Sequence, residues 1–139
     1  MNPTPKWYLP VAIIALLWNL IGCAAYLHDV MLTAEDIAML PTDQQALYAA
    51  RPAWSVAATA VAVWAGALGC VGLIMRRRWA TPLLIASLAG VILQDVSLFV
   101  VGSKVAVPSA AFILQGLVLM IAIGLVLLAR KAAAQGWLR

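Results

Sequence analysis

The chain alternates long apolar stretches with short polar segments, and four of the stretches are long enough to cross a bilayer. A helix needs about 20 apolar residues to span roughly 30 Å of hydrocarbon. None of the four stretches alternates polar and apolar residues, as the strands of a membrane β-barrel do over about 10 residues. The pattern therefore predicts four transmembrane helices, which we expect at residues 7–27, 53–75, 80–101 and 108–129.

Prolines mark where the predicted helices begin. Pro52, Pro82 and Pro108 fall at or just inside three of the starts, and Pro10 lies in the first turn of the first helix. A proline is tolerated there because its missing N–H has no intrahelical partner to lose. We expect an all-α, polytopic membrane protein, with a single domain over residues 1–139 that packs four transmembrane helices as an antiparallel bundle.

The polar segment 28–52 carries its own helix signals. Thr33 stands three residues before Asp36, which is the spacing of an N-cap and a reciprocating acid, and Thr42 repeats this signature after Pro41. Two interpretations stay open: the segment is a lid over the mouth of the bundle, or it is a plain solvated connector. The short amphipathic helices are expected at residues 34–40 and 43–50.

Composition sharpens the assignment to a membrane. Hydrophobic residues make up 65% of the chain and charged residues 10%, and the mean hydropathy is +1.01. Soluble domains have roughly 45–50% apolar and about 25% charged residues. These values exclude a soluble globule, a disordered chain, a disulfide-rich secreted domain and, despite a net charge of +4, most nucleic-acid binders. The expected surroundings are a lipid bilayer, without a nucleic-acid partner.

The basic residues set an orientation. Only Arg51 and Lys104 lie on one side of the predicted helices, where segment 28–52 also holds four acids. Because basic residues stay cytoplasmic, we expect both termini in the cytoplasm and segment 28–52 outside. The seven basic residues on the cytoplasmic side are Lys6, Arg76, Arg77, Arg78, Arg130, Lys131 and Arg139.

Aromatic residues agree with this orientation. Trp7, Tyr8 and Trp79 are expected at the inner membrane interface, and Tyr26 and Trp54 at the outer one. Such positions form the aromatic belts of membrane proteins.

Each predicted helix places a polar residue at a similar depth. Asn19, Thr59, Gln94, Asp95 and Gln115 all lie roughly 9–12 Å below the outer boundary when depth is counted at about 1.5 Å per residue. We therefore predict a polar layer, or solute site, in the outer half of the bundle.

Asp95 is the only acid inside a predicted span. We expect it either to hold its proton or to bond to Gln115, Asn19 or water. Its function is open: it is a proton- or solute-binding carboxyl, or it is a neutral group that joins helices through bonds of about 0.6 kcal/mol. The candidate outer entrance consists of Tyr26, His28 and Asp29.

Small residues recur along one face of the second predicted helix. Such faces let helix backbones approach closely in lipid. The face lies inside the bundle or forms a homodimer contact. Its helix-packing residues are Ala58, Ala62, Gly66, Gly69 and Cys70.

Motifs for chemistry are missing from the sequence. There is no Cys-x-x-Cys, no zinc pair, no glycine-rich phosphate loop and no nucleophile elbow. We expect no enzyme activity, no catalytic residue, no metal site and no cofactor. One processing alternative is that residues 20–23 form a lipobox, so that cleavage before Cys23 leaves a lipidated protein with three spans.

Several segments together resemble a family of small bacterial four-span inner-membrane proteins, some of which are labelled sugar transporters. The resemblance implies a bacterial inner-membrane location and covers nearly the whole chain. The segments that carry it are residues 6–10, 16–22, 44–48, 66–70 and the ending 130–137.

Two function classes follow from the sequence. The first is a non-enzymatic structural or accessory helper, favoured by the small-residue face and the missing motifs. The alternative is a minimal small-solute transporter or binding protein, sugar-like or proton-coupled, that acts as an oligomer around the polar layer. The expected protein partners are further copies of the chain or a larger membrane complex.

Overall fold

The computed structural model describes residues 4–138, and this part of the chain contains six helices and no strand. Four of the helices are long and apolar enough to cross a membrane. The predicted all-α polytopic bundle is therefore confirmed, and the chain is an integral membrane protein. The helices are α1 (Tyr8–Val30), α2 (Ala34–Ala38), α3 (Thr42–Ala50), α4 (Ala53–Ile74), α5 (Ala80–Gly102) and α6 (Ser109–Ala134).

The first predicted helix cap in the polar segment is confirmed. The backbone N–H of Asp36 donates to Oγ1 of Thr33 at 3.1 Å, and the N–H of Thr33 donates to a carboxylate oxygen of Asp36 at 3.0 Å. These two bonds with Thr33, the backbone one first, hold the pKa of Asp36 below its ordinary value. The reciprocal pair starts α2, as the Thr-x-x-Asp spacing predicts.

The second predicted cap is wrong. Thr42 is already inside α3, and Pro41, whose backbone is extended, precedes the helix without a capping side chain. The ring of Pro41 presets that backbone, so the helix begins at the next residue. Gln45 then ties the start of α3 to α2, because its side-chain N–H donates to the carbonyl oxygen of Ala38, the last residue of α2, at 3.0 Å.

The long helices pack in the order α1, α4, α5, α6, and the tightest interface joins α4 to α5. A Cβ on Gly90 would lie 2.7 Å from the carbonyl oxygen of Ala58 and 2.8 Å from the backbone nitrogen of Ala62. The Ser87 hydroxyl also crosses this interface and donates to the carbonyl of Ala62 at 2.6 Å. The small-residue face of α4 therefore lies inside the bundle. Its members Ala58, Ala62, Gly66, Gly69 and Cys70 are all buried.

The bundle is closed at one end, called the basic end here because it carries Arg76–Arg78. Tyr8 is fully buried there, its hydroxyl donates to the carbonyl of Leu73 at 2.7 Å, and its ring meets Trp137 edge to face. The predicted place of Tyr8 in an interfacial belt is thus wrong. The reason is that the chain turns after α6 at Gly136, where φ is 78°, and returns Trp137 onto Tyr8.

The other predicted belt residues remain partly exposed. Trp7, Trp54 and Trp79 each show more than two fifths of their surface. Indoles in such positions suit a membrane interface.

A candidate solute cavity between the four long helices

The half of the bundle opposite the basic end contains a partly open cavity of about 650 Å³. The cavity exists because α1 packs against α4 and α6 packs against α5, whereas α1 and α6 share no extended interface with each other. In α6 the buried residues begin only at Ala122, so the half from Ser109 to Ile121 leaves space beside it. We call this half of the bundle the α3 end, since Leu47 and Arg51 from the α3 segment also line the cavity.

Neutral hydrogen-bonding side chains reach the cavity wall from every long helix, and most other lining residues are apolar. Such a mixture is typical of sites for small molecules, where a few polar groups orient a mainly apolar ligand. The neutral polar residues in the lining are Trp18, Asn19 and Tyr26 on α1, Ser55 and Thr59 on α4, Ser87, Gln94 and Ser97 on α5, and Gln115 on α6.

Asn19 lies deeper than the layer predicted from residue counts. Its side-chain N–H donates to the carbonyl of Ala15 at 2.9 Å and to Sγ of Cys70 at 3.5 Å. A Cβ on Gly66 would clash with the Asn19 amide, so Asn19 sits beside Gly66. Gly66 is seven residues beyond Thr59 on α4, or about 10 Å nearer the basic end. The predicted single layer is therefore split into two levels.

One cause of this split is the length of α1. The helix continues to Val30, beyond the predicted end at residue 27. Counting depth from predicted helix ends assumes that all ends lie in one plane. The two levels nevertheless border the same cavity.

Asp95 does not line the cavity but lies at the seam between α5 and α6. One turn before it, Val91 packs with α6 around Ala122, and one turn after it, the ring of Phe99 meets that of Phe112 at 5.8 Å. Interpolation between these contacts in an antiparallel pair places Asp95 level with residue 117 of α6, about two residues or 3 Å along the helix axis from Gln115. Oδ1 of Asp95 and Oε1 of Gln115 are both buried, and neither has a hydrogen-bond partner among the described residues.

The mouth of the cavity is held by three side chains, which we call the Asp29 latch. The hydroxyl of Tyr48 donates to Oδ1 of Asp29 at 2.6 Å, and Arg51 donates to Oδ2 at 2.5 Å. The Arg51 guanidinium also stacks 4.9 Å from the centre of the Tyr48 ring. The hydrogen bond to the Asp29 carboxylate, followed by burial, raises the pKa of Tyr48.

Two of the three predicted entrance residues border the cavity. Tyr26 and Asp29 are part of its lining, whereas His28 is exposed and lies outside it. Sequence reasoning missed Tyr48 and Arg51, and the available signal was that Arg51 is the only cation in a segment with four acids.

The cysteines do not form a site. Cys23 and Cys70 are free and buried, and the Cys23 thiol donates to the carbonyl of Val63 at 3.4 Å. Within residues 4–138, no group of three or more His, Cys, Asp or Glu side chains is placed to hold a metal ion.

No protein-family model matches this chain, and comparisons with curated proteins and with solved structures find no match either. The family resemblance and the sugar-transporter label thus stay predictions. The cavity, the seam and the latch are the structural features on which a function can be argued.

Proposed function

We propose that this integral membrane protein binds a small, uncharged, amphipathic solute in the cavity between its four long helices. The observation that carries the proposal is the cavity itself. Its volume of about 650 Å³ falls within the roughly 300–1,000 Å³ of small-molecule sites. Each long helix contributes at least one neutral polar side chain to its wall. The proposal concerns binding and needs no chemical reaction.

The lining also indicates the class of solute. The only charged residues in it are Asp29 and Arg51, and these already pair with each other. An ion would meet no unpaired counter-charge, and a free sugar would lose hydration at many hydroxyls against mainly apolar walls. A molecule with an apolar body and one neutral hydrogen-bonding head group matches the lining better than either.

The gap between α1 and α6 supplies a route from the bilayer. Such a solute partitions into lipid, so lateral access suits it better than access from water. With basic residues kept in the cytoplasm, the proposed orientation puts both termini inside and the Asp29 latch outside, in a bacterial inner membrane. Access then comes from the outer leaflet.

A cavity-filling substitution tests the proposal. Ala25 lines the cavity and has an exposed side chain, so Ala25→Phe fills space without displacing packed neighbours. Ala24 is also exposed but does not line the cavity, which makes Ala24→Phe the matched control. The probe is monooleoylglycerol, with methyl oleate as the analogue whose head lacks a donor. Native mass spectrometry of protein released from nanodiscs measures retention.

The expected result is selective loss of the probe. Wild type and Ala24→Phe should retain monooleoylglycerol, while Ala25→Phe should bind it about tenfold more weakly, a change of about 1.4 kcal/mol. Equal retention by all three proteins would contradict a site in this cavity.

An accessory role is favoured by a different observation. The half of α6 from Ser109 to Ile121 has no buried residue and exposes Ile113 and Met120 at more than 70% of their surface. This apolar face is available to another membrane helix. A photo-crosslinker at Met120 should then capture one partner, either a second copy or a larger complex, while one at exposed Ile14 on α1 should not. Uniform labelling by lipid at both positions would argue against the accessory role.

A further inference from the structure

We propose that Asp95 carries a proton at neutral pH and donates it to Gln115 across the seam between α5 and α6. The pair would then be a proton-binding site inside the membrane. Because Gln115 also lines the cavity, the site would link proton uptake to the solute that the cavity binds.

The first argument is the balance of donors and acceptors at the seam. Oδ1 of Asp95 and Oε1 of Gln115 are both acceptors, both are buried, and both lack a partner in the described chain. Leaving a buried acceptor unpaired is unfavourable. An ionised carboxylate could accept from the Gln115 amide N–H but would leave Oε1 of Gln115 without a donor, whereas a protonated carboxyl brings one O–H. A single proton on Asp95 therefore supplies the donor that the Gln115 oxygen lacks.

The second argument is position along the helices. The α5–α6 contacts at Val91 with Ala122 and at Phe99 with Phe112 bracket the seam from both sides. In an antiparallel pair these contacts put Asp95 within about two residues, or roughly 3 Å along the helix axis, of the level of Gln115. This offset is less than one helical turn, so the proposed hydrogen bond requires no different pairing of the two helices.

The third argument is the absence of a counter-charge. Neither α5 nor α6 up to residue 129 has another titratable side chain, and on α4 the only one is the Cys70 thiol. Across the cavity, Arg51 is the only cation in the lining and is bound to Asp29. An ionised carboxyl inside the bilayer is costly without such a partner, so the neutral acid is favoured. The titratable side chains that α1 brings to this half of the bundle are Cys23, Tyr26, His28 and Asp29.

The link to the cavity rests on the proposed function. A solute head group that donates to Gln115 competes with the Asp95 proton for the same amide oxygen. Bound solute should therefore lower the affinity of Asp95 for its proton, and by reciprocity deprotonation should tighten solute binding. The released proton would reach water through the cavity that Gln115 lines.

Infrared spectroscopy of the whole protein in nanodiscs tests the proton site directly. The C=O stretch of a protonated carboxyl is resolved from carboxylate bands. We expect this band at neutral pH in wild type and in Asp43→Asn, which removes an exposed acid on α3, but not in Asp95→Asn. Gln115→Met should keep the band and move it to higher frequency, because the hydrogen bond is lost.

Two outcomes would overturn the proposal: no protonated-carboxyl band in wild type at neutral pH, or a band that Gln115→Met leaves unmoved. Asp95→Asn should fold, because an amide N–H can also donate to Gln115. Should that variant not fold, aspartate can be isotope-labelled selectively in the wild type. The labelled carboxyl band followed against pH then shows whether a protonated aspartate is present at neutral pH.

Binding of monooleoylglycerol against pH separates this inference from the proposed function. Wild type should bind the probe more tightly as pH rises, and Asp95→Asn should bind it independently of pH. An infrared band without any binding would remove the proposed function and leave the proton site. Binding of the probe without the infrared band would remove the proton site and leave the proposed function.

Discussion

The hydroxyl of Tyr48 lies 2.6 Å from Oδ1 of Asp29 and joins α3 to the last turn of α1. Residues 19 positions apart are thereby held together at the mouth of the cavity. Together with Arg51, this bond keeps α3 beside the opening that Leu47 lines. The latch gives the segment between α1 and α4 a fixed place, which favours a lid over a free connector.

Removing the Tyr48 hydroxyl should loosen the lid. Tyr48→Phe loses one net hydrogen bond, worth about 0.5–1.5 kcal/mol, and amide hydrogen exchange in α2 and α3 should quicken. Tyr26→Phe is the control, because Tyr26 lines the same cavity and makes no hydrogen bond to any described residue. Unchanged exchange in Tyr48→Phe would show that Arg51 alone holds the latch.

Alkaline pH should release the same contact. Since the pKa of Tyr48 is raised from 10.0 in the folded protein, the protonated phenol is favoured by folding. Its contribution is complete below pH 10.0 and is lost as pH rises through the higher folded value. The difference in tyrosinate absorbance between wild type and Tyr48→Phe follows this titration. Ionisation of Tyr48 at or below its ordinary value would contradict the latch.

Gly90 should tolerate no side chain. Gly90→Ala places a methyl group against backbone atoms of Ala58 and Ala62, which must move apart. Overpacking of this kind costs about 1–3 kcal/mol, measured as earlier unfolding in a detergent titration. Gly116→Ala is the matched control, because a Cβ there meets nothing within 4 Å. Equal stability of the two variants would refute the close α4–α5 contact.

The Ser87 hydroxyl should matter more than an exposed one. Ser87→Ala removes the buried bond to Ala62 between helices, and such bonds in membranes average about 0.6 kcal/mol with a maximum near 1.7. Ser103→Ala removes a bond of the same length to Val100 at an exposed helix end. We expect a lower unfolding midpoint only for Ser87→Ala.

Arg76 offers a stabilising substitution. Arg76 lies two residues beyond the end of α4 and has φ at 57°, and the N–H of Arg77 donates back to the carbonyl of Gly72 at 2.8 Å. This is a helix ending that favours glycine, and a left-handed conformation costs other residues roughly 1–2 kcal/mol. Arg76→Gly should raise stability by up to about 1 kcal/mol. Arg78→Gly removes the same charge and should give no gain.

The apolar pattern predicted the helices well, because length and hydropathy are local properties of the chain. The four spans, the two short helices and the Thr33 cap could all be read from neighbouring residues. The burial of Tyr8 could not, since it depends on the turn at Gly136 that brings Trp137 back. Contacts between distant segments leave no signal in either segment alone.

The cavity was predicted only in outline. Polar residues at similar depth indicated a shared site, and Asn19, Thr59, Gln94 and Gln115 do border one cavity. The vertical offset of Asn19 depends on how α1 slides along α4, which residue counts do not determine. For the same reason the seam position of Asp95 required the contacts between α5 and α6.

The close contacts between α4 and α5 also bear on how the chain assembles after insertion. The two helices are joined by only residues 75–79, and short links lose little entropy on closing. We therefore expect the α4–α5 hairpin to form first, with α1 and α6 adding to its two sides. In this order α1 and α6 complete the cavity wall last. A molecule dissolved in the bilayer therefore has access to the cavity while the bundle is still assembling.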